Sequence, residues 1–281
     1  MAILQRRRTS PDLESPSTDG PAEEPTENPA DRADRADRAD QADTAPVRRL
    51  PAAAWLVVAA HPRQVLVTAL AIAVAAAASG RAAGEVLLVL ATVAVGQTVL
   101  GWHNDLVDRG RDAAHDTPGK PLADGRLDPG TTWYALTVAV LVLVPLSISG
   151  GVTAGAFYLV STAVALLGNV VLRQGPLSWL PWAASFALYP AYLSHGGWGG
   201  SYEGDAPRLA MVVLAAALGV GVHVVRSIWG LVADDADEWH TLPLLLGRRL
   251  GASRLLLVGA VYCAVVVAAI VYVGLSSGLA A

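Results

Sequence analysis

After Pro51 the chain is dominated by seven apolar runs, at about 62–78, 85–102, 131–149, 153–172, 177–194, 209–229 and 255–275. A bilayer's hydrocarbon core, about 30 Å thick, takes roughly 20 helical residues, so each run can cross it or nearly so. Lipid offers no partner for a backbone N–H or C=O, and uninterrupted apolar runs meet that demand as helices rather than as a barrel. The runs are rich in Ala, Val and Gly, which lets helices approach closely. The expectation is an all-α polytopic membrane protein, a bundle of about seven transmembrane helices. With 53% hydrophobic and 16% charged residues, the chain is too apolar for an ordinary soluble domain.

Residues 1–50 contrast with the rest. They hold Pro, Glu, Thr and Asp, few large apolar side chains, and an Asp-Arg-Ala repeat from Asp31 to Ala39. Such a segment buries too little surface to offset its ordering entropy, so a disordered N-terminal tail is expected, followed by a helical bundle over 51–281. Arg6-Arg7-Arg8 leads into polar sequence, which excludes a signal peptide. With the N-terminus inside, eleven Lys and Arg residues near the span ends fall on the cytoplasmic side and two, Arg81 and Arg208, on the other. That bias predicts a cytoplasmic tail and cytoplasmic loops at 103–130 and 230–252, in a cell (inner) membrane. A net charge of -4 gives no footprint for nucleic acid. Cys263, the single cysteine, reads as a packing residue.

Both loops are acidic. If the second run stays helical past Trp102, Asp105, Asp108 and Asp112 fall at i, i+3 and i+7 on one helix face, just after Asn104. Carboxylates crowded at a bilayer edge repel one another unless a cation sits among them, and their hard oxygens suit Mg²⁺. The second loop carries Asp234, Asp235, Asp237 and Glu238. Cations that could meet a phosphate are Lys120 and Arg126 after the first acidic stretch, Arg226 before the second, and Arg63 at the start of the first run. Asn169 and His223, polar at membrane depth, suit interhelical hydrogen bonds. Trp179, Trp182, Tyr189 and Tyr192 suit either an acceptor pocket or an interfacial belt, with the belt favoured for Trp179.

Asn104-Asp105-x-x-Asp108-x-x-x-Asp112, followed by Lys120-Pro121-Leu122-x-x-Gly125-Arg126, resembles the N-D-x-x-D-x-x-x-D and R-P-L-x-x-G signatures of the UbiA family of intramembrane prenyltransferases. The first signature matches throughout. The second has Lys120 in place of arginine, which keeps the charge but loses the planar grip on phosphate. The family's second aspartate motif, D-x-x-x-D, is matched in part. Alignment on Thr241-Leu242-Pro243 puts Asp234 on its second aspartate and Gly230 on its first, with Asp235, Asp237 or Glu238 as substitutes. The resemblance implies a UbiA-like bundle and a catalytic set of Asn104, Asp105, Asp108, Asp112, Asp234 and Asp235. Asp105, Asp108 and Asp112 would hold one Mg²⁺, and Asp234, with Asp235 or Glu238, another.

The implied reaction moves a prenyl group from an isoprenyl diphosphate, gripped by Arg63, Lys120, Arg126 and Arg226, to a lipophilic, aromatic acceptor. Mg²⁺ would neutralise the leaving diphosphate. The family pattern carries further membrane helices beyond the last one here, which implies a cavity open to lipid, a partner subunit or homo-oligomer that closes it, or an inactive bundle. Two other readings follow from the same residues: a terpene cyclase, which needs no acceptor, and a non-catalytic membrane protein that binds prenyl diphosphates. A transporter is disfavoured, since no matching pair of broken spans faces mid-membrane.

Overall fold

The computed structural model describes residues 50–196 and 206–276, and every regular element in them is helical. The expected disordered tail, apart from Leu50, lies outside the described residues. In order, the helices are α1 (Ala52–Ala59), α2 (Pro62–Ala78), α3 (Ala83–Ala114), α4 (Pro129–Ile148), α5 (Val152–Gly168), α6 (Leu180–Ala187) and α7 (Tyr189–Ser194). They continue with α8 (Leu209–Ser227), a 3₁₀ turn (Ile228–Gly230), α9 (Leu231–Ala236), α10 (Leu242–Leu250) and α11 (Ala252–Ser276).

Among the described residues, four helical stretches are long and apolar enough to cross a membrane: Ala83–Ala114, Pro129–Ile148, Leu209–Ala236 and Ala252–Ser276. The pair α1 and α2 makes a fifth if its 56° bend is counted within one span. The remaining two expected spans depart from the simple reading. The run at 153–172 gives a helix of only 17 residues, and that at 177–194 divides into α6 and α7. Pro190 accounts for the division and Pro181 for the start of α6, because proline is favoured in the first turn of a helix. Only 11% of the most apolar window of α11 is buried, and Leu257, Val265, Tyr272 and Leu275 on it are exposed. A surface of that kind is stable against lipid rather than water.

The core has two groups of helices. In one, α3 packs against α2, α4 and α5; in the other, α8 packs against α6 and α11, and α5 joins the groups through α6 and α7. Small residues permit the closest approaches. A Cβ on Gly101 would lie 2.8 Å from the Ala60 carbonyl oxygen, so the bend between α1 and α2 seats directly on α3. Tyr189 and Tyr192 are buried with Tyr158 in a cluster that includes Val93 and Leu143, in the interior rather than in an interfacial belt. Asn169 lies 3.3 Å from His103, and His223 lies 3.0 Å from Ser178, so both link separate segments as expected.

Helix α3 positions the site. Its 32 residues rise about 48 Å, well beyond the hydrocarbon core. The excess carries Asn104, Asp105, Asp108 and Asp112 on continuous helix, past the last apolar turn.

Candidate active site

The chain leaves α3 through a tight stop. Asp116 takes a left-handed conformation (φ 46°), and the Thr117 amide donates to the Asp112 carbonyl at 2.9 Å. This six-to-one bond is the Schellman closure, and it reverses the chain towards α3. Leu122 and Leu127 then anchor the returning segment beside Ala59, Trp55, Trp102 and Leu106, with the Leu127 amide bonded to the Pro121 carbonyl at 3.0 Å. Lys120 is thereby laid back between two carboxylates of the helix just left. Its Nζ donates to Asp105 Oδ1 at 2.6 Å and lies 3.3 Å from Asp112 Oδ2. Burial works against its charge, but Asp105 and then Asp112 outweigh that and hold the Lys120 ammonium above its ordinary pKa.

His61 completes this half. Residue 61 sits at the α1–α2 bend with φ 55°, and its Nε2 lies 2.8 Å from Asp105 Oδ1. An ionised carboxylate only accepts, so the imidazole donates at Nε2. Asp105 Oδ2 is buried without a partner, and the buried Asp112 Oδ2 has only the Lys120 ion pair. Asp108 faces other partners: its Oδ2 accepts from Asn104 Nδ2 at 2.8 Å, and its Oδ1 from Arg173, in the segment after α5.

The second acidic stretch ends with the same stop. Glu238 is left-handed (φ 57°), and the Trp239 amide donates to the Asp234 carbonyl at 2.9 Å. Asp234 and Asp237 both turn towards α3. Arg111 donates from Nε to Asp237 at 2.5 Å and from Nη2 to Asp234 at 2.8 Å. His115 Nε2 lies 2.8 Å from the other Asp237 oxygen, and Thr241 Oγ1 donates to Asp234 at 3.3 Å. The hydrogen bonds from Arg111 and then His115 hold the Asp237 carboxyl below its ordinary pKa. Thr241-Leu242-Pro243 is the start of α10, where Thr241 caps the helix by accepting from the Leu244 amide at 3.3 Å.

Asp105, Asp112 and Lys120 therefore meet directly, Asn104 and Asp108 join them through α3, and Asp234 reaches the same helix through Arg111. Other expected site residues stand elsewhere. Asp235 is exposed and paired with Arg248, Glu238 is exposed, and Arg63 is exposed at the start of α2. Arg126 pairs with Asp124 and lies over the Trp55 ring at 4.5 Å, while Arg226 lies 5.4 Å from the Trp182 ring. Among the described residues, no three His, Cys, Asp or Glu side chains gather closely enough to hold a metal ion. Arg111, Arg173, His115 and His61 were the residues that motif reading passed over. Arg111 sits within the first motif, one helical turn after Asp108, which was the available signal. Nothing local marks Arg173.

An open apolar groove of about 300 Å³ lies between the end of α5 and α6, lined by Leu167, Gly168, Val171, Leu172, Leu180 and Pro181 among others. Its lining residues flank Asn169 and Arg173 in sequence, which bond to His103 and Asp108 of α3.

Fold and site thus define an integral membrane helical bundle with interleaved carboxylates and cations gathered at the end of its longest helix. The model of the UbiA prenyltransferase family matches residues 65–281, and the chain belongs to that family. A solved structure of a UbiA homolog from Archaeoglobus fulgidus, bound to GPP and Mg²⁺, is similar in fold: it has a TM-score of 0.59 and 17% identity, covering 79% of this chain and 78% of that one. No curated protein matches the sequence.

Proposed function

We propose that the chain transfers a prenyl group from an isoprenyl diphosphate to a lipophilic, aromatic acceptor in a Mg²⁺-dependent reaction within the membrane. The observation that carries this reading is the buried Asp105 Oδ2, which has no partner, beside Asp112, whose buried Oδ2 has only the Lys120 ammonium at 3.3 Å. A buried polar oxygen without a partner is costly, and hard oxygens suit Mg²⁺. GPP and Mg²⁺ in the archaeal homolog support the same ligands here.

Asp105, Asp108 and Asp112 are not gathered in this structure, and would converge along α3 to hold one ion. Asp234 and Asp237 are the better pair for a second, ahead of Asp235 or Glu238, because both face α3, where a metal would have to displace Arg111 from them. Bound Mg²⁺ supplies Lewis-acid stabilisation of the leaving diphosphate. Lys120 supplies a nearby ammonium for the remaining phosphate charge, and the groove between α5 and α6 supplies an apolar wall for the chain. Arg63, Arg126 and Arg226 are assigned no contact in this arrangement. The Lys and Arg bias further supports a site facing the cytoplasm from an inner membrane.

The test is turnover of a labelled isoprenyl diphosphate by the full chain in detergent, with Mg²⁺ and with and without phenolic acceptors. Product is expected only with both. Asp105→Asn and Asp108→Asn should each lower the rate at least about a hundredfold while leaving membrane insertion intact. Wild-type turnover in both variants overturns the metal assignment. Diphosphate release without acceptor, giving a cyclic product, replaces the transferase with a cyclase. Diphosphate binding without release under any condition replaces it with a binding protein.

A further inference from the structure

Trp239 lies outside every motif that marks the acidic stretches, yet its ring meets the cations of both. The Arg111 guanidinium lies 4.0 Å from the Trp239 ring centroid, and that of Arg173 lies 5.3 Å from it. These are the two arginines that bind Asp108 of the first stretch and Asp234 and Asp237 of the second. The backbone on both sides of the ring is tied down. The Trp239 amide bonds to Asp234 at the end of α9, and the His240 amide bonds at 2.9 Å to the Gln174 carbonyl, next to Arg173. The indole is thus held where the segment after α5 meets the second acidic stretch.

Both guanidinium groups are neutralised by carboxylates, and each is also attracted by the π-electrons of the same ring. The carboxylates are the groups that a divalent cation would claim. The ring is not.

We infer that Trp239 is a positioning residue that holds Arg111 and Arg173 against one indole ring when their carboxylate partners turn to metal, so that both guanidinium groups stay available to an incoming diphosphate. This inference rests on the proposed metal–diphosphate reading. A planar donor held by stacking loses less freedom on binding than a solvated one, so Trp239 acts on diphosphate affinity through the arginines.

The full chain in detergent, titrated with inorganic pyrophosphate and Mg²⁺ by calorimetry, tests it. Replacing Trp239→Leu should weaken binding about tenfold, whereas Trp239→Phe should stay within about threefold of the wild type. Fluorinated tryptophans placed at position 239 preserve shape while weakening the ring's negative face, and they cover the case of a leucine variant that does not fold. Affinity should fall stepwise with each added fluorine. In the free protein, ¹⁵N-labelled arginine spectra should show two side-chain N–H signals displaced by the ring, with the displacement lost in Trp239→Leu.

Equal affinity across the fluorinated series, or in Trp239→Leu, overturns the inference. A wild-type chain that shows the displaced arginine signals but does not bind Mg²⁺–pyrophosphate overturns the metal–diphosphate reading instead, and with it the role given to Trp239.

Discussion

The two acidic stretches end alike and are neutralised differently. Each closes its helix with a left-handed acidic residue, Asp116 or Glu238, and a six-to-one hydrogen bond. After the first, the returning chain brings its own cation, Lys120, into carboxylates fifteen and eight residues earlier. After the second, the returning chain brings Arg248 only to the exposed Asp235, and Asp234 and Asp237 borrow Arg111 from α3, more than a hundred residues away in sequence. The Lys120 part of the first half is therefore assembled by local folding, whereas the Arg173–Asp108 pair and the second half form only when helices dock. The extremes of burial lie at Asp105, 1% exposed, and at Asp237, whose side chain is 26% exposed, while Asp112 and Asp234 are both buried.

The largest effect should come from removing the local cation. Lys120→Met leaves Asp105 and Asp112 without it, and breaking a buried pair on one side costs about 3 kcal/mol. Thermal unfolding in detergent reads the loss, and Mg²⁺ should restore part of it in the variant. Absence of any Mg²⁺ effect there would separate these carboxylates from cation binding.

Acid and alkali should then divide the halves. Asp237 is held below the usual carboxylate value of about 3.9, so it binds fewer protons folded than unfolded near that pH. Its contribution is present above that value and is lost as pH falls through the lower folded one, so Asp237→Asn should flatten the acid limb of the stability curve. Lys120 is held above the usual lysine value of about 10.4, so its contribution is lost only as pH rises through the higher folded one. Stability measured from pH 2 to 12 would show both limbs, and an acid limb unchanged in Asp237→Asn would break the comparison.

The smallest effect belongs to the pair outside both networks. Arg248 and Asp235 are 48% and 58% exposed, and Arg248→Ala should change stability by no more than about 0.5 kcal/mol. A larger loss would mean that Asp235 belongs to the site after all.

Much of the scaffold was legible from apolar run length. The run at 62–78 is helix α2 residue for residue, and the helical spacing of Asp105, Asp108 and Asp112 holds because α3 continues to Ala114. Run length did not register helix α1 ahead of His61 or the break at Leu188, since apolar composition is indifferent to a turn. Pro62, Pro181 and Pro190 carried that information. The site was legible where charge and partner are close in the chain, as with Lys120. It was not legible where partners lie far apart: the Arg173–Asp108 and Arg111–Asp237 pairs depend on helix docking, which leaves no local pattern.

Lys120 between Asp105 and Asp112 also bears on how the protein is made. A nascent bundle leaving the insertion machinery carries this resident counterion from the moment its third helix turns back, before any metal reaches it. On the proposed reading, a cell short of magnesium would lose flux through the enzyme and keep the enzyme itself, inserted and waiting.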